Sequence, residues 1–514
     1  MRREFDRDDQ HLQPGRRVIV LANRAPLTHQ RSADGTINVT RSASGVVTAL
    51  EPIVEACAGT WVAHATGAAD LQANIRIATK VGASGLSTST RRYRVRYVDM
   101  EATRYDGYYY GFANEGLWAL CHAVPVQPVF RGDDFGMYQA ANRRFTAAVV
   151  TEAADSSPLV LVQDYHFALA PRLLRRRLAA DSRITAFWHI PWPEARVLRK
   201  CPWAAQLIDG LLGSDLIGFQ TEGDRYNFLE GVAALIDADI RYSDEVIVYR
   251  DRSTRVRVYP VGVEWNNEIV REMPSIESCR ERVYRDHQLR DSIKLGIGID
   301  RLDYTKGIHE KFLAIERLLD RRPDVRPHFA FIQVAEPSRE RLSEYRNTRA
   351  QIEETARRVN ARFGTSGHQP IRLLDVHHEP ADVYRLYRSA DFCYVGSLHD
   401  GMNLVAKEFV SARTDHHGIL VLSEFTGAAR QLRAAVLVDP YAIDATAHTL
   451  GQVLAMPLSE QAHRMRLLRA NVSKYDSRWW RQRLFEDALA TTTNRLRYDL
   501  TGGAVGGVSP TAVT

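Results

Sequence analysis

The feature that most constrains this chain is an alternation. Short β-branched or apolar runs are separated, almost from end to end, by longer amphipathic stretches of helical period. RVIVLANR (17–24), TWVAHA (60–65), LVLVQD (159–164), ITAFWHI (184–190) and DLIGFQT (215–221) read as buried strands in the first half. The second half repeats the style in IKLGIGID (293–300), HFAFIQVA (328–335), IRLLDVH (371–377), DFCYVGS (391–397), ILVLSEF (419–425) and AVLVDP (435–440). Helical patterns such as LAPRLLRRRLAA, IHEKFLAIERLLDRR (308–322) and a long one near 339–363 fill the gaps. Such alternation builds parallel sheets covered on both faces. At 514 residues the chain exceeds one core, so the expectation is an α/β protein of two doubly wound units joined near VYPVGVEW (258–265), with a cleft between them.

Composition removes several classes of function. No apolar run approaches the roughly 20 residues of a membrane span, and MRREFDRDDQHLQPGRR is polar without a signal-peptide core, so a cytoplasmic protein with no membrane partner is expected. Five cysteines (57, 121, 201, 279, 393) lack CxxC spacing and read as reduced packing residues. A net charge of +6, from 68 basic against 62 acidic residues, is too small an excess to require nucleic acid. RLLRRRLA (172–179) reads as the solvated face of a helix, with a basic cleft for an anionic ligand as the sharper alternative. The HH pairs at 377–378 and 416–417 have no companion ligands at metal spacing.

Open parallel sheets bind ligands at the carboxyl ends of their strands, so the residues just after each run carry the chemistry. In GIDRLDYTKGI (298–308), Arg301 and Lys306 follow a strand and Gly307 precedes a helix. Two cations and a helix N-terminus could hold a diphosphate without a metal; otherwise they are surface residues. In SLHDGMNLVAKEF, Asp400 and Gly401 occupy the turn, and the amides of Met402, Asn403, Leu404 and Val405 open a helix as further phosphate donors. Glu408 either binds a ribose from that helix or answers its dipole. Asp164 and His189 stand alone at two strand ends in VQDYHF and FWHIPWP, where a sugar could be held, although a structural histidine is the commoner use of such a residue.

Taken together and in order, LANRAP, SGVVTALEP, YYYGFANEGLW, VQDYHF, FWHIPWP, DRLDYTKG, DGMNLVAKEF and VLSEFTGAARQL resemble the trehalose-6-phosphate synthase family from about residue 17 to 490. The resemblance implies a GT-B fold, two facing Rossmann-like domains with the active site in the interdomain cleft. It divides the chain into an acceptor-binding domain (17–260), a nucleotide-sugar-binding domain (261–475) and a helix packing back on the first domain (476–500), between a polar extension (1–16) and a Gly/Ala/Ser/Thr tail (501–514) whose composition predicts disorder. The implied reaction is retaining transfer of glucose from UDP-, ADP- or GDP-glucose to glucose 6-phosphate, with no cofactor and no metal; a homo-oligomer is compatible with it.

By the same resemblance Arg301, Lys306, Gly45 and the amides after Asp400 hold the donor's diphosphate, and Glu408 binds its ribose. Asp400 and His189 contact the transferred glucose, and Asp164 holds hydroxyls near the reacting centre. Arg24, Tyr109, Trp118 and Arg339 match the pocket for the acceptor's phosphate. Two departures bear on the acceptor: Ser44-Gly45 stands where members commonly have Gly-Gly, and His64 where relatives often place Trp. They leave room for a sister transferase acting on glycerol 3-phosphate or a cyclitol phosphate. A catalytically silent sugar-phosphate sensor is a third reading, against which the intact Arg301, Lys306, Asp400, Glu408, Asp164 and His189 count.

Overall fold

Every apolar run named above forms a strand in the computed structural model, which describes residues 16–32, 34–41, 45–72 and 93–490. The extension before residue 16, Ser44 and the tail after 501 lie outside the described residues. The first half contributes β1 (Val18–Leu21), β2 (Leu27–Arg31), β3 (Ile37–Arg41), β4 (Thr60–His64), β5 (Arg94–Val98), β6 (Leu159–Gln163), β7 (Arg183–Phe187), β8 (Leu216–Phe219), β9 (Asp239–Arg241), β10 (Val246–Tyr249) and β11 (Arg252–Val258). Apart from the β2–β3 hairpin, these make one sheet in the order β5-β4-β1-β6-β7-β8-β11-β10-β9. The second half contributes β12 (Lys294–Arg301), β13 (Phe329–Glu336), β14 (Ile371–Leu374), β15 (Phe392–Val395), β16 (Ile419–Ser423) and β17 (Val436–Val438). They form a parallel sheet ordered β14-β13-β12-β15-β16-β17.

The expected wholly parallel arrangement fails at one edge, where β10 runs antiparallel to both β9 and β11. The cause is visible in β11, RSTRVRV, whose polar residues alternate with apolar ones: it suits a half-exposed strand rather than one covered on both faces.

The helices that bear on the site are α1 (Gly45–Ala56), a π-helix (Asp106–Trp118), α2 (Gly132–Ala153), α3 (Ala170–Arg175), α4 (Ala204–Leu211), α5 (Ile308–Arg321), α6 (Ser343–Phe363), α7 (Pro380–Ser389), α8 (Leu404–Ala412) and α9 (Ser477–Ala490). LAPRLLRRRLAA yields only the short α3, and two of its arginines are not solvated. Arg175 is buried in an ion pair with Asp215, and the Arg172 Nε donates to the Asp209 carbonyl at 3.1 Å.

Each sheet is wound in both directions from its middle. β1 lies between β4 and β6, and β12 between β13 and β15. A crevice therefore opens at the carboxyl ends of β1 and β6, and another at those of β12 and β15. One buried apolar cluster joins the sheets and includes Trp480 of α9, whose indole donates to the Tyr259 carbonyl at 3.1 Å and packs edge-on against Phe187 at 5.2 Å. No described helix is long and apolar enough to cross a membrane.

Candidate active site

The residues that follow β1, β6, β12 and β13 converge with α1 and the π-helix on a single cavity of about 260 Å³. Arg24, Gly45, Tyr109, Trp118, Asp164, Arg301 and Arg339 all line it.

Tyr109 and Trp118 reach the cavity together because their helix is unusually wide. They are nine residues apart, which is two and a half turns of an α-helix and would place them on opposite faces. The i→i+5 bonding of a π-helix raises the residues per turn above four, so the same separation is about two turns and both side chains share a face. The guanidiniums of Arg339 and Arg301 lie over the Trp118 ring, 4.1 and 5.5 Å from its centre.

Asp303 anchors these cations. Fully buried, it accepts from Arg339 Nη1 at 3.2 Å, the Tyr345 hydroxyl at 3.2 Å and the Thr305 amide at 3.1 Å, with Arg301 at 3.8 Å. Burial alone would raise its pKa, but Arg339, Arg301 and Lys306 outweigh burial and hold the carboxyl down at about 2. Arg339 also donates to the Tyr165 hydroxyl at 3.3 Å, which ties the second sheet to the loop after β6. The same guanidinium and Arg24 act on Tyr109: although burial opposes it, they lower the phenol to about 8.

Backbone strain collects here. Asp164 (φ 71°), Arg339 (φ 49°) and Asn403 (φ 77°) all adopt positive φ without being glycine. Asp164 pairs with β6's neighbour by accepting the His189 amide at 3.1 Å, and burial pushes its carboxyl up to about 6 against the pull of that amide.

A column of four aromatic rings ends at the cavity. His64 stacks on Tyr105 (4.2 Å), Tyr105 on Tyr109 (5.0 Å), and Tyr109 on His166 (5.7 Å), with interplanar angles of 15°, 13° and 9°. His64 does not line the cavity itself. Burial lowers its pKa, and its Nδ1 meets the Val98 carbonyl at 3.2 Å.

The remaining sequence-derived residues, His189, Lys306 and those from Asp400 to Glu408, do not line this cavity. Lys306 Nζ donates to Asp400 at 2.5 Å, and Asp400 also accepts from Asn403 at 3.2 Å and Ser397 at 3.3 Å. Burial would raise the Asp400 pKa, but Lys306 outweighs it and keeps the carboxyl below its usual range. Among the described residues Asp400 is the one hydrogen-bond acceptor of the Lys306 ammonium, which carries three donors. The turn stays open for close approach because Gly307, at φ 61°, places its Cα against the Gly396 carbonyl, where a Cβ would collide. Gly401 presses in the same way on the His189 carbonyl, and the Met402 carbonyl accepts from the Ala428 amide at 2.9 Å. His189 is neutral, its pKa pushed to about 3 by burial, with Nε2 donating to Gln163 at 2.9 Å and Nδ1 facing the Gln220 amide at 3.4 Å. Its imidazole nitrogens are thus engaged with protein.

Asn403 caps α8, its side chain accepting from the Ala406 amide at 3.3 Å, so the amides of Leu404 and Val405 begin the helix ahead of any intrahelical acceptor. A Cβ on Gly45 would lie 2.5 Å from the Leu404 side chain, so the N-termini of α1 and α8 meet across the cleft. Such facing N-termini concentrate donor groups and positive potential. Glu408, one turn on, accepts from the Tyr387 hydroxyl at 3.0 Å, and burial raises its pKa.

Sequence reasoning had not singled out Asp303, His166, Gln163 or Trp61, although each sits inside a quoted motif, and the last three line the cavity. The available signal for Asp303 was a second acid three residues after a strand-end acid in DRLD.

Comparison with known proteins identifies the family. The family model described as Glycosyltransferase family 20 matches residues 16–490. The trehalose-6-phosphate synthase of Mycobacterium avium (strain 104) is 36% identical over 490 residues, covering 93% of this chain and 96% of that one. That of Mycolicibacterium smegmatis is 35% identical over 490 residues, covering 92% of each. Among solved structures, the E. coli protein bound with UDP-2-fluoro glucose superposes with a TM-score of 0.80 at 28% identity, covering 93% of this chain and 100% of the other. An alpha,alpha-trehalose-phosphate synthase (UDP-forming) from Burkholderia xenovorans in complex with glucose-6-phosphate gives 0.78 at 30% identity, covering 92% and 99%.

Proposed function

The chain belongs to glycosyltransferase family 20, and from that premise we propose that it is a trehalose-6-phosphate synthase of GT-B fold, moving glucose from a nucleotide-glucose donor to glucose 6-phosphate with retention. The observation that carries the reading is the cavity itself, where Arg24, Arg339 and Arg301 meet Tyr109, Trp118 and Asp164 beside the two facing helix N-termini. A phosphorylated sugar fits a pocket with that charge, and a diphosphate fits the N-termini.

In this reading residues 17–260 form the acceptor unit and 261–475 the donor unit. Arg24, Tyr109, Trp118 and Arg339 receive the acceptor, its phosphate between the arginines. Arg301, Lys306, Gly45 and the amides of Leu404 and Val405 take the charge that develops on the leaving diphosphate. Preorganised cations aimed at developing charge are the largest contribution such a transfer can draw on. Asp400, kept ionised by Lys306, accepts from a hydroxyl of the transferred glucose, while Glu408 offers its second oxygen to a ribose. Asp164 holds a hydroxyl near the reacting carbon. The His189 ring contributes to the glucose wall by shape, and the acceptor's proton leaves to the diphosphate oxygen.

The test is to incubate the protein with UDP-, ADP- and GDP-glucose and a panel of phosphorylated acceptors, following nucleoside diphosphate release. Release with glucose 6-phosphate is expected. Release with glycerol 3-phosphate or a cyclitol phosphate alone would replace the acceptor, and release with none would point to a sensor.

A further inference from the structure

A larger cavity, of about 460 Å³, lies away from the proposed active site, between α2, α3, α4 and the β10–β11 turn. Four arginines line it, Arg143, Arg172, Arg176 and Arg250, against one carboxylate, Asp209. Arg143 and Arg176 are exposed at the rim. The Arg172 side chain is only 10% exposed, and its Nη2 has no hydrogen-bond partner among the described residues, the nearest acid being Asp209 at 3.6 Å. Arg250 lies 3.1 Å from the same carboxylate, so one acid is shared by two guanidiniums. The Tyr249 ring supports both, at 5.7 Å from Arg172 and 4.9 Å from Arg250. A buried cation with an unused donor, in a cavity whose other cations outnumber its acid, is matched by an anion carrying about two charges.

We propose that this cavity is a second binding site, for a small phosphate dianion or phosphate monoester, and that its occupancy is felt at the acceptor cavity. Two helices make the connection. Next to Arg143 on α2, Asn142 donates to the His166 carbonyl at 3.1 Å, and Tyr138 donates to the Tyr165 carbonyl at 2.6 Å while accepting the Ala168 amide at 2.9 Å. α3, which carries Arg172, begins directly after that clamped segment. Tyr165 and His166 line the acceptor cavity, so an anion drawing α2 and α3 together acts on its wall. Binding at the new site stands apart from the proposed reaction, whereas the effect on the acceptor rests on it.

Uptake of inorganic phosphate and of ribose 5-phosphate by the full chain would be measured by equilibrium dialysis, in a background of Arg24→Ala with Arg301→Ala that weakens phosphate binding in the first cavity. One equivalent should still bind, and Arg143→Gln with Arg176→Gln, both at exposed positions, should reduce the affinity at least tenfold; Arg172→Gln should do the same. Tighter binding of ribose 5-phosphate than of inorganic phosphate would assign the site to an ester, and equal binding to the free ion. Absence of uptake, or uptake indifferent to positions 143 and 176, would overturn the site. With Arg24 and Arg301 intact, the KM for glucose 6-phosphate should shift at least twofold more with ribose 5-phosphate than it does in the Arg143→Gln, Arg176→Gln protein; an equal shift in both would overturn the coupling.

Discussion

Asp164 shows how one residue can serve chemistry at the expense of stability. Its φ of 71° and its burial both disfavour the ionised, folded state, and its pKa sits at about 6. A carboxyl raised in the fold favours folding below its unfolded value near 4, and loses that contribution as pH rises through 6. Asp164→Asn should therefore stabilise the protein at pH 8, by up to about 3 kcal/mol, and the gain over the parent should shrink below pH 5, while turnover falls at every pH; melting curves at the two pH values check it. Tyr109 gives a second prediction. Its phenol ionises near pH 8 because Arg339 and Arg24 lie close, and the phenolate competes with the acceptor's phosphate for them. KM for glucose 6-phosphate should climb above pH 8, and Tyr109→Phe should flatten that climb in a pH series of initial rates. Arg301→Ala should lower kcat about 100- to 1,000-fold, the usual loss on removing one preorganised donor to developing charge; a near-normal single-turnover rate would remove Arg301 from that role.

Among the elements, those legible in the sequence were the ones buried on both faces. VIVL of β1 and LVLVQ of β6 are wholly buried and read as unbroken apolar runs. β11 was not legible, since a half-exposed strand carrying Arg255 and Arg257 at alternate positions imitates a loop, and β10, the four-residue run VIVY, takes its antiparallel place from pairing with it. The π-helix was invisible for a different reason: wide turns leave no 3.6-residue period, and YYYGFANEGLW shows only crowded aromatics. Site residues at strand ends were accessible to the same logic, whereas Asp303 matters through contacts with Arg339 and Tyr345, which lie far along the chain. His64, a departure in the sequence, turned out to be the far end of the ring column rather than part of the cavity wall. α8 offers a test at this scale. Asn403 both caps the helix and sits at φ 77°, so Asn403→Gly keeps the backbone at ease and loses little of the cap, while Asn403→Ala loses both. The alanine variant should be about 1–2 kcal/mol less stable than the glycine variant in urea titrations.

At the scale of the molecule, the two sheets hold one half of the proposed reaction each, and the chain crosses back to lock them. Trp480, Leu484 and Phe485 of α9 are fully buried within the cluster that spans both sheets, and the Tyr259 hydroxyl donates to Asp487 at 2.6 Å. Trp480→Ala should cost about 3–5 kcal/mol, read as a lowered denaturant midpoint with little change in KM. The same helix imposes a timetable on biosynthesis. Tyr259 and Trp480 are 221 residues apart, so a ribosome adding roughly 5–20 residues per second leaves the first sheet without its covering helix for roughly 10–45 s. Throughout that interval the nascent first half carries a bare apolar face, which makes it a client for chaperones in proportion to how slowly its second half is translated.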